Sequence, residues 1–131
     1  MKVLALDYGA ARTGVAVSDA TGTIARPLGV VERAASSAGL ERIAAILREE
    51  RAERVVVGLP LTLRGEHGRQ ARDTERFVSA LRAVVDVPVE TYDERFTTAI
   101  AAGGGGDAPE DARAAAHLLA GYLHRLGSGS T

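Results

Sequence analysis

The chain has no cysteine and no tryptophan, a single lysine, and only three Tyr and two Phe. Without cysteine there is no disulfide framework, no thiolate metal site and no cysteine nucleophile. With so few aromatics, stacking platforms for single-stranded nucleic acid are scarce. No apolar run approaches the roughly 20 residues of a membrane-spanning helix. The N-terminus enters a strand-like run with no signal-peptide pattern, so the expectation is a cytoplasmic protein that makes no membrane contact. A charge imbalance is also missing. Sixteen basic residues stand against seventeen acidic ones, a formal net charge of −1. That argues against a non-specific nucleic-acid coat and leaves room for a local basic patch. Lys2 is the sole lysine, so every other cation is Arg. Arg suits bidentate phosphate contacts, but a genome-wide codon bias toward Arg, Ala and Gly explains the same excess more simply. At 131 residues the chain is long enough for one domain with a real core and too short for two large ones.

What is present is organised around Met1–Asp19, MKVLALDYGAARTGVAVSD. Val3 to Leu6 are apolar without alternation, the mark of a strand buried on both faces. Asp7 ends that run. A carboxylate there is costly unless it is paired, hydrogen-bonded or bound to metal. Gly9 and Gly14 flank Arg12, and the chain returns through Val15, Ala16 and Val17. Two readings of this hairpin stand side by side. One is a loop that holds a metal and a phosphate together. The other is a capped hairpin whose Asp7 bonds its own loop amides.

Further along, Ala25–Glu32 reads as a third strand. Ser36 or Ser37 caps a helix running to about Arg51, with Leu40, Ile43, Ala44 and Leu47 as its apolar stripe. Arg54–Gly58 carries three consecutive valines, a second buried strand. A polar loop over Thr62–Gln70 leads to a helix ending near Val85, and Val87–Tyr92 is the last strand. Thr97–Ala102 reads as a short helical turn and Gly103–Gly106 as a breaker. Asp107-Ala108-Pro109-Glu110 has the form of a capping box. It opens a final helix to about Leu126, followed by a flexible tail over 127–131. Three strands and then helix, strand, helix, strand, helix predict a five-stranded mixed α/β sheet, an antiparallel meander plus two parallel strands, flanked by helices.

Ligands bind beyond the carboxyl ends of the parallel strands in such sheets. Asp7, Gly58-Leu59-Pro60 and Asp93-Glu94-Arg95 all end at that edge. Asp111 lies within about 40° of Ala115, Leu118 and Tyr122 on a helical wheel. An acid is thereby set on the buried stripe near the helix start, where such pattern breaks mark sites; the bland reading is a carboxylate that serves the helix N-terminus. Asp19 ends the antiparallel second strand, on the order of 20 Å from Asp7 at the usual rise per residue, and is excluded. Carboxylates from several elements suit Mg²⁺ or Mn²⁺ and phosphodiester hydrolysis.

LALDYGAARTGVAVSD, VVVGLPLTLRGEHG, YDERFTTAIA and DARAAAHLLAGYL resemble, in order, four motifs of the YqgF (RuvX-like, pre-16S rRNA nuclease) family in the RNase H-like superfamily. The resemblance covers nearly the whole chain and implies a single RNase H-like nuclease domain over 1–126. It also implies a divalent-metal site and a role in 5′-end maturation of the 16S rRNA precursor. Structured RNA and the pre-30S particle would be partners, in a monomer or homodimer. Related members are linked to Holliday junction and branched-DNA processing. Carried over by position, Asp7 and Asp111 would be metal ligands, with Glu94 as third acid or water-orienting group. Gly9, Arg12 and Arg95 would contact the substrate, and Thr97 and Thr98 would bond the Asp93-Glu94-Arg95 loop or the substrate backbone, or simply cap a helix. Arg64, Arg69, Arg72 and Arg76 form a further basic group beside the active edge, diluted by Glu66, Asp73 and Glu75. Two departures stand out. The fourth strand ends in Gly58-Leu59-Pro60 rather than an acid, and a short AGGGGDAPE replaces the family's longer basic segment before the last helix.

Three function classes compete: the nuclease, a non-catalytic RNA-binding assembly factor on the same fold, and an actin-like ATPase. The last needs two such domains and ranks lowest.

Overall fold

The computed structural model of the chain describes residues 1–61, 64–93 and 109–129. Five strands, β1 (Val3–Asp7), β2 (Arg12–Ser18), β3 (Ala25–Glu32), β4 (Arg54–Leu59) and β5 (Val89–Asp93), join three helices, α1 (Ser37–Glu50), α2 (Arg69–Arg82) and α3 (Glu110–Gly129). The sheet order is β3-β2-β1-β4-β5. β1–β2 and β2–β3 pair antiparallel, while β1–β4 and β4–β5 pair parallel. The mixed sheet expected from the order of apolar segments is the one that forms.

Alternation along the strands sorts side chains onto two faces. Leu4, Leu6, Val15, Val17, Val55 and Val57 pack with Ile43, Leu47, Phe77 and Leu81 of α1 and α2. Val3, Ala5, Ala16 and Val56 pack with Ala115, Leu118, Leu119 and Tyr122 of α3. β1 sits at the centre and is buried on both sides from Val3 to Leu6, which is why its sequence shows no alternation. α3 lies close on β1–β3 because it presents Ala112, Ala115 and Ala116, whose short side chains let helix and sheet approach.

α1 starts where Ser36 accepts from the Gly39 N–H at 3.1 Å and ends at Arg51, left-handed at φ 56°. α2 differs from its expected span: it opens at Arg69 and stops at Arg82 rather than near Val85. The end tightens into bonds from the Ala83 N–H to the Ala80 carbonyl and from the Val84 N–H to the Leu81 carbonyl, and Arg82 is the last helical residue. Its Nε and Nη2 reach back to the Val89 carbonyl at 3.1 and 2.7 Å, tying the turn to the start of β5. β5 begins at Val89, two residues later than expected. Pro88 has no N–H for the ladder, although its carbonyl accepts from Val55 at 2.9 Å. α3 runs on to Gly129, so Gly127–Gly129, expected in the tail, are helical. The expected turn at 97–102, the Gly103–Gly106 breaker and the Asp107 cap lie outside the described residues.

α3 is also tied down at its far half. The Arg54 guanidinium donates to the Tyr122 hydroxyl at 2.9 Å, and that hydroxyl donates to the Glu90 carboxylate. Tyr92 meets the Tyr122 ring edge-on with centroids 5.6 Å apart. Burial raises the Tyr122 hydroxyl above its ordinary range, and the bond to Glu90 adds to this.

Candidate active site

Asp7, the last residue of β1, stands directly opposite Gly14 of β2. Directly opposed residues of an antiparallel pair point to the same face. Alternation with Val3 and Ala5 puts Asp7 on the α3 face. Gly14 shows how close α3 comes. A Cβ at Gly14 would lie 1.8 Å from the Asp111 carbonyl oxygen and 2.4 Å from its carbonyl carbon. Only glycine admits that approach. The first turn of α3 therefore rests on the residue paired with Asp7, which puts the two acids chosen from sequence at the same edge of the sheet.

Arg12 completes this corner. Its Nε lies 3.3 Å from Asp111 Oδ2, with the Arg12 side chain 67% exposed and the Asp111 side chain 37% exposed. The loop between Asp7 and Arg12 is tight. A Cβ at Gly9 would fall 2.5 Å from the Arg12 carbonyl oxygen. The buried Thr13 hydroxyl lies 3.4 Å from both the Gly9 N–H and the Gly9 carbonyl. The Arg33 N–H holds the Ala11 carbonyl at 3.0 Å. These contacts fix the loop that presents Asp7 and Arg12.

The fourth strand contributes no acid here. Gly58 pairs with Tyr92 and alternates with Val56, so it lies on the α3 face just beyond the level of Leu6. The carboxylate that the sequence lacks is thus a hydrogen atom at a definite place beside Asp7. Among the described residues no three His, Cys, Asp or Glu side chains gather closely enough to hold a metal ion. Asp7 and Asp111 supply two hard oxygen donors, and a small divalent cation commonly takes one or two carboxylates with water completing its shell. The donor chemistry fits such an ion. Glu94, Arg95, Thr97 and Thr98 lie outside the described residues; Glu94 follows Asp93, the last residue of β5.

Beyond Asp7 opens a cleft of about 380 Å³ between the Tyr8–Ala10 loop, Pro60 and the first turns of α2. Gln70, Asp73 and Thr74 line its α2 side. Tyr8 stacks on Phe77 with centroids 4.5 Å apart and planes 17° from parallel. Gln70 and Asp73 were not among the sequence candidates. Gln70 reads as loop, and Asp73 reads only as an acid among arginines. Their spacing of three on a helix that starts at the active edge was the signal available. Arg64, Arg69, Arg72 and Arg76 are all exposed. Arg76 is bound to Asp73 at 3.1 Å, and His67 Nδ1 lies 2.9 Å from Glu75. Asp19 is spent on its own turn. It accepts from the Ile24 and Thr23 N–H groups and the Thr21 hydroxyl at 2.5–3.0 Å, which lowers its carboxyl to about 2.

Known proteins share both the sequence and the fold. A protein named "Putative pre-16S rRNA nuclease" from Chloroflexus aggregans is 48% identical over 99 residues, 76% of this chain and 70% of that one. A like-named protein from Desulforudis audaxviator is 46% identical over the same share of both chains. A third, from Chloroflexus aurantiacus, is 44% identical, and the matched segment spans 65% of its length. Thermus thermophilus RuvC in complex with a Holliday junction substrate superposes with a TM-score of 0.66 at 21% identity, covering 99% of this chain and 97% of that one. A second Thermus thermophilus RuvC structure gives 0.61. The likeness to RuvC establishes the RNase H-like fold. The family model "RuvX: Holliday junction resolvase" matches residues 1–125, and the chain belongs to that family, as a nuclease that hydrolyses phosphodiester bonds.

Proposed function

We propose that this nuclease processes the 5′ end of the 16S rRNA precursor with a divalent cation, Mg²⁺ or Mn²⁺, held by Asp7 and Asp111 with Glu94 as third acid. The observation that carries the reading is the Gly14 contact, which sets the first turn of α3 against the residue paired with Asp7. The names of the relatives support the RNA substrate. Held by these carboxylates, such an ion would supply water activation and charge neutralisation at the leaving oxygen. The chain's own residues then do the placing. Asp7 is fixed by the end of a central strand and Asp111 by the seated helix, so neither must reorganise as charge develops.

Arg12 neutralises Asp111 in the free protein and contacts a substrate phosphate in the complex. Gly9 lets the backbone come near the scissile group, and Arg95, Thr97 and Thr98 hold the strand on the β5 side. Arg64 and Arg69 contact the flanking backbone. A near-neutral chain gains little from counterion release, so the pre-30S particle supplies part of the affinity. A cytoplasmic location accords with this substrate, and no helix among the described residues is long and apolar enough to cross a membrane.

The test is cleavage of a labelled 16S precursor fragment and of a four-way DNA junction, with Mg²⁺ or Mn²⁺, beside Asp7→Asn. Metal-dependent cutting of the RNA, lost in the variant, is expected. Cutting of the junction alone would move the protein to branched-DNA processing, as the family description favours. Binding without cutting, unchanged by the substitution, would leave an assembly factor.

A further inference from the structure

The cleft beside Asp7 is unlike a phosphate site. Among the described residues it is lined by no arginine and by two acidic residues, Asp7 and Asp73, whose charge repels anions; the Tyr8 and Pro60 side supplies apolar wall. Its volume of about 380 Å³ lies within the range of small-molecule sites. Gln70 and Asp73 stand three apart on α2, so their side chains are neighbours on one helix face. Thr74 is committed elsewhere, its hydroxyl donating to the Gln70 carbonyl at 2.9 Å. Arg76 holds Asp73 Oδ1 at 3.1 Å, which offsets the carboxylate charge near a nucleic-acid strand and leaves Oδ2 and further lone pairs to accept.

The geometry points to a base-reading pocket: we propose that this cleft takes an unstacked guanine from the strand being cut, read by Asp73 and Gln70. The Watson–Crick edge of guanine offers two adjacent donors, N1–H and N2–H, to a carboxylate, and an acceptor, O6, to the Gln70 amide. Adenine would turn its N1 acceptor toward the carboxylate, leaving that pair unsatisfied even where the Gln70 amide turns over to accept from N6–H. The assignment rests on the nuclease reading for its place beside the scissile phosphate, but the pocket itself is testable without cleavage.

GMP, AMP, CMP and UMP are titrated into the protein and followed by the Gln70 side-chain amide and the α2 backbone amides in ¹H–¹⁵N spectra. GMP binds about fivefold to a hundredfold tighter than AMP, the span expected of one good bidentate pair. The difference collapses in Asp73→Asn and shrinks in Gln70→Ala, with helix content unchanged by circular dichroism. In parallel, an RNA pool randomised around the cut is digested and its ends sequenced. Guanine is enriched at one position beside the cut for the wild type and not for Asp73→Asn. Equal binding of GMP and AMP, shifts confined to other surfaces, or a guanine preference that survives in both variants would overturn the assignment. Selective GMP binding without any cleavage of the pool would instead overturn the nuclease reading and leave the pocket standing.

Discussion

Gly14→Ala isolates the contact on which the site depends. The new methyl group would sit 1.8 Å from the Asp111 carbonyl oxygen, 2.4 Å from its carbonyl carbon and 3.1 Å from the Ala112 nitrogen. All three are backbone atoms, so no side chain can swing aside. Ordinary contact begins near 3.4 Å, and the first turn of α3 must retreat by about 1.5 Å or β2 must bend away. Overpacking of this size costs about 1–3 kcal/mol, a fall in Tm of about 3–12 °C for a domain of this length. The larger effect is on catalysis. Asp111 moves with the turn while Asp7 stays in β1, and a misplacement of about 1 Å typically costs on the order of a hundredfold in rate. Gly29→Ala in β3 is the control, because a Cβ there meets nothing within 4 Å. The assay is the cleavage rate per folded molecule on the labelled precursor fragment, with thermal melts of both variants. If Gly14→Ala cuts within threefold of wild type, the two acids do not act together and the site reading fails.

Asp7→Asn keeps the size of the side chain and removes its charge. It should lower the cleavage rate by about a hundredfold or more while the melting curve stays within about 2 °C, since the residue ends its strand at the edge of the core. Tyr122→Phe removes the hydroxyl that links Arg54 to Glu90 and leaves them only their direct ion pair at 3.6 Å. A loss of about 1–3 kcal/mol in urea unfolding is expected, with Kd for GMP unchanged. Asp19→Ala tests a pH dependence. The folded carboxyl lies at about 2 against an ordinary value of 3.8. The contribution is present above about pH 4 and lost as the pH falls toward 2. The variant should therefore unfold at lower urea than wild type at pH 7, with the gap closing near pH 2; a gap that persists there would refute the assignment.

Much of this was legible because the signals were periodic. Val3–Leu6 and Val55–Val57 are apolar on consecutive residues, and such runs have one good home, the doubly covered middle of a parallel sheet. Asp111 could be placed because it breaks an otherwise apolar helical stripe. The approach of α3 to β2 was not legible. Gly14 reads only as a glycine flanking Arg12 in a hairpin, and its role depends on a helix nearly a hundred residues later in the chain. The end of α2 was missed for a similar reason. Val84 and Val85 continue an apolar pattern, yet the helix closes before them in a tighter turn, Ala83 N–H to the Ala80 carbonyl and Val84 N–H to the Leu81 carbonyl, with Arg82 bound to the Val89 carbonyl. The Gln70–Asp73 pair was overlooked because polar residues on an exposed helix start carry no contrast of pattern.

The seating of α3 bears on the tolerance of the chain to change in length. The helix is anchored near its start by van der Waals contact with Gly14 and farther on by Tyr122 between Arg54 and Glu90, points on three different strands. A rod held at two such stations keeps its axial position and its rotation whatever length of chain leads into it. The segment that precedes α3 is thereby released from the task of aiming Asp111. An insertion or deletion before Glu110 is therefore expected to leave Asp111 seated on β2.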